Sequence, residues 1–196
     1  MSKNKYRLPF NGKWYVEYGG IKKEDSHSWD VISQRYAYDL EIRENDLPYH
    51  DDYKKLDNYY SYLQDIICPC DGWVFLVENK YENTKVYEGR PIINDSDNPC
   101  GNHIIIKHNH NEYSFLCHIE KDTILVKEGD IVKEGQILAK VGNSGNTQGP
   151  HIHFHVQNSP DIITGKGIKI NMKNTYDENN KKIKYLKNGM TVENKE

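Results

Sequence analysis

The chain lacks any apolar run near the roughly 18 residues that a membrane span needs. It also lacks an excess of one charge, because 26 Lys and Arg against 29 Asp and Glu give a net charge of −3. Nucleic acids and anionic membranes attract basic surfaces, so we expect neither as a partner. The charged amino end is not followed by an apolar segment, which predicts no secretory signal and makes the cytoplasm the default location.

The chain has four cysteines but lacks the paired C-x-x-C spacing of a zinc ribbon. Cys68 and Cys70 are two residues apart, which is too close for an easy mutual disulfide, and Cys100 and Cys117 are isolated. We expect four reduced thiols in an intracellular protein. A long-range disulfide, such as one between Cys70 and Cys100, would require an oxidising compartment.

The amino-acid composition of the chain is polar and rich in aromatic residues. Its 196 residues suit one domain, 1–196, with a respectable core. The mean hydropathy is −0.88 and 36% of residues are hydrophobic, yet 11% are aromatic and 15 are tyrosines. Tyrosine can build half-buried sheets and interfaces, so this composition predicts a loop-rich globular protein rather than a disordered one.

Short segments with turn signals between them predict an all-β sandwich or barrel. Residues 103–108 and 113–119 read as a hairpin, and further strands are expected within 8–20 and at 34–40, 73–77 and about 168–172. The intervening residues 78–101 read as a long loop bordering a cleft.

Two segments lie outside this strand pattern. In an insert at 41–67, apolar residues recur at spacings of four and three, which predicts a short amphipathic helix built on Tyr49, Tyr53, Leu56, Tyr60 and Leu63. The carboxyl end, 173–196, is rich in Lys, Asn and Glu and is expected to be a peripheral tail.

The stretch with the most chemistry is 142–156, GNSGNTQGPHIHFHV. Its glycines, asparagines and Gly-Pro pair are typical of turns. The strict alternation that follows predicts a strand with His151, His153 and His155 on one face. Neutral imidazole is the commonest metal ligand, so the pattern favours a metal site over a polar strand face that merely carries histidines.

Several passages carry a family resemblance. Residues 142–145, GNSG, running into 150–154, PHIHF, resemble the terminal motif of the lysostaphin-type (LytM-like) zinc endopeptidases. Residues 67–74, ICPCDGWV, and 101–106, GNHIII, are similar to two earlier passages of that family. Residues 126–139 resemble a passage of barrel-sandwich hybrid folds, which biotinyl and lipoyl carriers share.

The resemblance implies an all-β, barrel-sandwich hybrid (duplicated hybrid motif) domain with a core at about 27–160. It also implies Zn²⁺ as cofactor, held by His27, Asp39 and His153, with His118 and His151 as catalytic residues. The family's histidine and aspartate usually stand closer than His27 and Asp39, which are twelve positions apart, and His50 is the nearby competitor. His155 is expected to support the site or the fold, and His103, His108 and His110 to be structural or exposed.

The chemistry of this residue set agrees with the resemblance. Two imidazoles and one carboxylate leave a fourth zinc position for water, as in catalytic rather than structural sites. His118 and His151 would divide the acid/base and oxyanion roles, in an order that the sequence leaves open.

The implied function is a zinc metalloendopeptidase whose substrate is a peptide or a peptidoglycan cross-link. Secreted or cell-wall action would then need another export route. Two alternatives stay open: a non-catalytic zinc-binding homologue that regulates a partner, and a sugar-uptake phosphotransfer protein of the same fold.

Overall fold

The computed structural model describes residues 1–86 and 98–195. Three 3-10 helices of three residues each, at Lys23–Asp25, Leu56–Asn58 and Asn109–Asn111, accompany twelve strands in this part of the chain. The strands are β1 (Trp14–Tyr18), β2 (Tyr38–Glu41), β3 (Asp65–Ile67), β4 (Gly72–Glu78), β5 (His103–Lys107), β6 (Tyr113–Cys117), β7 (Ile131–Val132), β8 (Ile137–Lys140), β9 (Ile152–Gln157), β10 (Thr175–Asp177), β11 (Lys182–Ile183) and β12 (Thr191–Asn194). The predicted all-β class is confirmed.

Ten strands form one sheet in the order β11-β10-β12-β1-β2-β9-β6-β5-β4-β7, and β3 pairs with β8 in a second, two-stranded sheet. The pairings between neighbouring strands are antiparallel, and the predicted hairpin is present as β5 and β6. β9, which carries the alternating histidines, lies between β2 and β6. Residues far apart in sequence therefore meet on either side of it.

The two faces of β9 have different partners. Ile152, Phe154 and Val156 belong to the main hydrophobic core, and each is at most 1% exposed. The opposite face carries His153 and His155, and the adjacent β6 adds Phe115 and Cys117 to a smaller buried cluster. The alternation read from the sequence thus separates core packing from polar chemistry, as a period of two requires.

The insert at 41–67 is less helical than predicted. Its only helix is the 3-10 turn Leu56–Asn58, and turns and β3 account for much of the rest. Residues at i, i+3 and i+4 can also gather in a compact loop, and here Tyr49 packs at 6.0 Å from Tyr53 and 5.3 Å from Tyr59, between ring centroids. The insert therefore forms a tyrosine cluster, which includes Tyr59 from outside the predicted spacing, rather than an amphipathic helix.

The prediction of a peripheral tail is wrong. β12 pairs with β1 and β10, and Leu186 and Val192 are buried at 1% exposure in the main core. The polar composition of this segment reflects short strands with one exposed face. The predicted loop 78–101 lies partly outside the described residues. No helix in the described ranges is long and apolar enough to cross a membrane.

Candidate metal centre

Asp39 and His153 meet because their strands are neighbours. Asp39 on β2 and His153 on β9 are direct cross-strand partners. Such pairs place their side chains on the same face, with Cβ atoms about 5 Å apart. His153 Nδ1 lies 2.8 Å from Asp39 Oδ1, and both residues are buried.

His151 joins the same carboxylate from the residue just before β9. It stands two positions before His153, so its ring faces the same side, and its Nε2 lies 3.6 Å from Asp39 Oδ1. Its Nδ1 lies 2.8 Å from the carbonyl oxygen of Gly149. Because a carbonyl only accepts hydrogen bonds, the Nδ1 of His151 carries a proton.

His27 reaches the group from the loop after the first 3-10 helix. Its Nε2 lies 3.4 Å from Asp39 Oδ2, and its ring centroid is 5.2 Å from that of Tyr18 and 6.4 Å from that of His153. The side chain is 35% exposed, against 6% for that of His153. His27 therefore closes the solvent side of the group.

Three of these residues could hold a metal ion. One donor atom from each of His27, Asp39 and His153 lies within 4.8 Å of the others. Imidazole nitrogen and carboxylate oxygen both suit zinc, and three protein donors are the usual number in catalytic sites. His50, the competitor in sequence, instead contacts Asp51 at 3.1 Å on the exposed insert.

His118 reaches the group through an unusual backbone conformation. It follows Cys117, the last residue of β6 and the partner of His153, so simple alternation would turn its side chain to the opposite face. His118 has a φ of 65°, which is rare for a residue with a side chain and clusters at functional sites. Its ring centroid lies 4.7 Å from that of His151 and 5.8 Å from that of His153.

The glycine turns hold His118 in place. Its Nδ1 donates to the carbonyl of Ser144 at 2.8 Å. That carbonyl lies where two turns touch backbone to backbone, since a Cβ on Gly101 or Gly145 would come within 2.3 or 2.4 Å of main-chain atoms of the other turn. Both glycines also have positive φ, of 59° and 82°. The GNSG motif thus supplies the partner of a catalytic candidate.

The electrostatics separate the two catalytic candidates. Burial, with the neighbouring His151 and His153, lowers the pKa of His118 well below its usual value. Burial would also lower the pKa of His151, but the Asp39 carboxylate raises it overall. Burial would raise the pKa of Asp39, but His151 and His153 hold it well below its usual range. Burial thus favours the neutral ring of His118, whereas the Asp39 carboxylate shifts His151 toward its charged form.

The remaining histidines lie around the group or away from it. His155 is 1% exposed, and its Nδ1 lies 3.1 Å from His153 Nε2. His103 and His108 are buried and bond to carbonyl oxygens of Gly101 and Asp71. His110 occupies the β5–β6 turn with a φ of 63°.

A cleft of about 840 Å³ opens over these residues. The sequence analysis did not predict that this cleft has an aromatic wall. The wall is formed by tyrosines, namely Tyr49, Tyr53 and Tyr59 of the insert together with Tyr18. Tyr59 packs on the turn before the histidine strand, where a Cβ on Gly149 would come within 2.8 Å of its ring. The tyrosines of the insert were the available signal, but their spacing indicated a helix.

Charged side chains also line the cleft, and no sequence pattern indicated them. Arg43 bonds to Glu17 and Glu41, and its guanidinium lies 4.1 Å from the ring centroid of Tyr15. Glu41 follows Asp39 by two residues on β2, so the two carboxylates share a face. Burial raises the pKa of Glu41 despite the ion pair with Arg43.

Comparisons with known proteins give the family of the chain and several relatives. Residues 56–172 match the sequence profile of Peptidase family M23, a range that includes His118, His151 and His153. The peptidoglycan DD-endopeptidase ShyB of Vibrio cholerae is 34% identical over 97 residues, which cover 45% of this chain and 22% of that protein. The murein hydrolase activator NlpD of Salmonella dublin is 32% identical over 132 residues, covering 67% of this chain and 30% of that protein.

The chain therefore spans less than a third of either relative. Among solved structures, a chain in the crystal structure of the SpoIIIAH and SpoIIQ complex covers 84% of this chain and 96% of its own length, with a TM-score of 0.51 and 15% identity. That likeness shows the fold. His27 and Asp39 lie before the matched range. The pairing of β2 with β9 brings Asp39 to it, and His27 reaches Asp39 from its loop.

Proposed function

Because this chain belongs to Peptidase family M23, we propose that it is a zinc-dependent endopeptidase that hydrolyses peptide bonds in bacterial peptidoglycan. The observation that carries the proposal is the convergence of His27, Asp39 and His153 beside His118 and His151 on one side of a cleft. The name of the relative ShyB, a peptidoglycan DD-endopeptidase, supports the substrate class.

The donor set fits zinc and leaves room for a reaction. Two imidazole nitrogens and one carboxylate oxygen converge, and the cleft opens over them. When bound in such a site, zinc lowers the pKa of a water molecule and polarises a carbonyl oxygen. The residues of the chain then have to bind the peptide, hold protons and release them.

The two remaining histidines each hold Nδ1–H against a backbone carbonyl, which leaves Nε2 for proton transfer. His118 donates Nδ1–H to Ser144, so in its neutral ring Nε2 is the unprotonated nitrogen and accepts a proton from the attacking water. His151 donates Nδ1–H to Gly149, and a second proton taken up during the reaction would sit on its Nε2, which lies 3.6 Å from Asp39 Oδ1. That N–H stabilises a developing oxyanion or protonates the departing amine.

The cleft walls offer both apolar and polar contacts to a peptide. Tyrosine side chains provide flat apolar contact together with a hydroxyl that can bond to peptide groups. The insert tyrosines form one wall, and Glu17, Glu41 and Arg43 add charges of both signs. We assign these residues to substrate binding rather than to chemistry.

A second function is favoured by the similarity to NlpD, a murein hydrolase activator. A protein of that kind would act through another hydrolase and need not cleave peptidoglycan itself. The convergence of five candidate site residues favours catalysis. The match to Peptidase family M23 favours either function over the phosphotransfer alternative.

The test is digestion of purified peptidoglycan by the zinc-loaded protein, with released fragments identified by mass spectrometry. We expect cleaved peptide cross-links, loss of cleavage with a chelator and recovery with added zinc. Asp39→Ala is the matched inactive control. A protein that leaves peptidoglycan intact but stimulates a separate murein hydrolase would contradict the proposal and support the activator function.

A further inference from the structure

A row of buried polar side chains extends from the metal centre along the same face of β9. His153 Nε2 lies 3.1 Å from His155 Nδ1, and His155 Nε2 lies 3.2 Å from Gln157 Oε1. His155 is 1% exposed and Gln157 is fully buried. Solvent therefore cannot satisfy these groups, and each must use its neighbour.

The side-chain amide of Gln157, at the far end of this row of side chains, has only one satisfactory orientation. Gln157 Nε2 lies 2.6 Å from the carbonyl oxygen of Ser159 and 2.8 Å from that of Asp161. Both carbonyls only accept, so the amide nitrogen must face them and Oε1 must face His155. The flipped amide would place three oxygen atoms against one another. A Cβ at Gly165 would lie 2.5 Å from Gln157 Nε2, so glycine leaves the space that this amide fills.

The orientation of the amide decides where the ring protons are. Because Gln157 Oε1 accepts, His155 must donate from Nε2, and in a neutral ring its Nδ1 is then unprotonated. That bare nitrogen faces His153 Nε2, which must therefore carry a hydrogen. Nδ1 of His153, the nitrogen beside Asp39, is consequently the one left to bind a cation.

We propose that His155 and Gln157 are positioning residues that set the tautomer of His153, so that Nδ1 faces the metal and Nε2–H is held by His155. Ligand histidines commonly donate their second ring N–H to an outer partner, and losing that partner typically lowers metal affinity by about 10- to 100-fold. Here the partner is a second histidine, whose own tautomer is imposed by two backbone carbonyls through Gln157. The inference rests on the proposed metal site.

Packing alone is the competing explanation for His155. Its ring stacks on Phe115, with centroids 4.5 Å apart and planes 12° apart, and the two residues are cross-strand partners. A residue needed only for this stacking could be replaced by another flat ring. A residue needed as a hydrogen-bond acceptor could be replaced by an amide. The two roles thus predict opposite results for two substitutions.

The experiment compares His155→Phe with His155→Gln. His155→Phe keeps a flat ring against Phe115 but removes the acceptor, and we expect zinc affinity, measured by chelator competition, to fall about 10- to 100-fold. His155→Gln keeps a carbonyl acceptor and should bind zinc more tightly than His155→Phe. Zinc affinity in His155→Phe equal to or above that of His155→Gln would overturn the proposal.

A second readout needs no metal. In nitrogen-15 NMR spectra of the metal-free protein, His155 should carry its proton on Nε2, and Gln157→Leu should abolish this exclusive preference. A wild-type His155 protonated on Nδ1 would overturn the proposed role of His155 and Gln157 whether or not zinc binds. A wild-type protein with this tautomer but no zinc affinity would instead refute the proposed function.

Discussion

The candidate metal centre brings together side chains from distant parts of the chain, so single substitutions can separate their proposed roles. Asp39 and His153 are 114 residues apart in sequence, yet their ring nitrogen and carboxylate oxygen lie 2.8 Å apart. His27 contributes from a loop, and His118 and His151 flank the group without belonging to the donor set. Ligands and proton carriers should therefore behave differently on mutation.

The donor residues are tested by metal content. We expect Asp39→Ala, His153→Ala and His27→Ala each to lose zinc, because a site with three protein donors needs all of them. His50→Ala is the matched control, since its ring contacts Asp51 on the exposed insert. Metal analysis of the four variants measures this. Zinc at full stoichiometry in Asp39→Ala and His153→Ala would refute the assignment, and loss of zinc in His50→Ala alone would transfer the third ligand to the insert.

The proton carriers are tested by activity at constant metal content. His118→Ala and His151→Ala should retain zinc and lose roughly 10²-fold or more in cleavage rate, the usual scale for acid/base and oxyanion groups. The measurement is cleavage of a peptidoglycan-derived peptide by zinc-loaded variants. Loss of zinc in His151→Ala, with retention in His153→Ala, would reverse the two roles.

At the scale of elements, β9 organises the site, and the carboxyl-terminal strands connect to it through the sheet. The carboxyl-terminal strands pair with β1, which in turn pairs with β2, the strand of Asp39. Leu186 and Val192 from this end are buried in the same core as Phe154 of β9. The tail is therefore part of the structure that holds the site.

Two leucines provide the test of this element. Leu186→Ala should lower the free energy of unfolding by about 2–5 kcal/mol, the usual cost of truncating a buried leucine. Leu125→Ala is the matched control: Leu125 is 70% exposed, so its change should stay within about 0.5 kcal/mol. Urea denaturation measures both. Equal, small changes would show that the carboxyl-terminal strands pack loosely.

For the whole molecule, the proposed metal binding would be linked to folding. The donors come from β2, β9 and the loop at His27, so only the folded chain assembles them. A ligand that binds the folded state alone stabilises it in proportion to RT ln(1 + [L]/Kd). The same packing that assembles the donors also buries three of the four cysteines.

Zinc should therefore raise the thermal midpoint of the wild-type protein. At free zinc about 100 times Kd the stabilisation is about 2.7 kcal/mol, or roughly 5–10 °C for a chain of this size. Asp39→Ala should show a much smaller shift. Thermal unfolding with and without zinc measures the difference, and equal shifts in both proteins would place the bound metal elsewhere.

The thiols should resist alkylation in the native protein. All four cysteines are free, and burial raises the pKa of Cys68 to about 12 and that of Cys70 to about 11. Only the thiolate reacts, so at pH 8 alkylation of Cys70 should be roughly 10²-fold slower than in the unfolded chain and should increase as the pH rises toward 11. Iodoacetamide labelling followed by mass spectrometry measures this. Native Cys70 that reacts as fast as in guanidinium would contradict it.

Local patterns in the sequence determined much of this protein. The alternation of His151, His153 and His155 with apolar residues specifies one strand with a polar and a buried face, because side chains alternate wherever a strand forms. The glycine-rich turn before it and the short strand signals elsewhere specify an all-β chain. The family motifs supplied the identities of the proposed zinc and catalytic residues.

Only the tertiary structure decided which residues meet. Strand order places Asp39 opposite His153, positive φ turns His118 toward the group, and Gln157 orients His155 through carbonyls of the following loop. The tyrosine wall and the core role of the tail also depend on contacts between distant segments. Periodicity reports the environment of a residue within its own element, whereas cross-strand pairing and loop closure join elements whose separation in sequence carries no local signal.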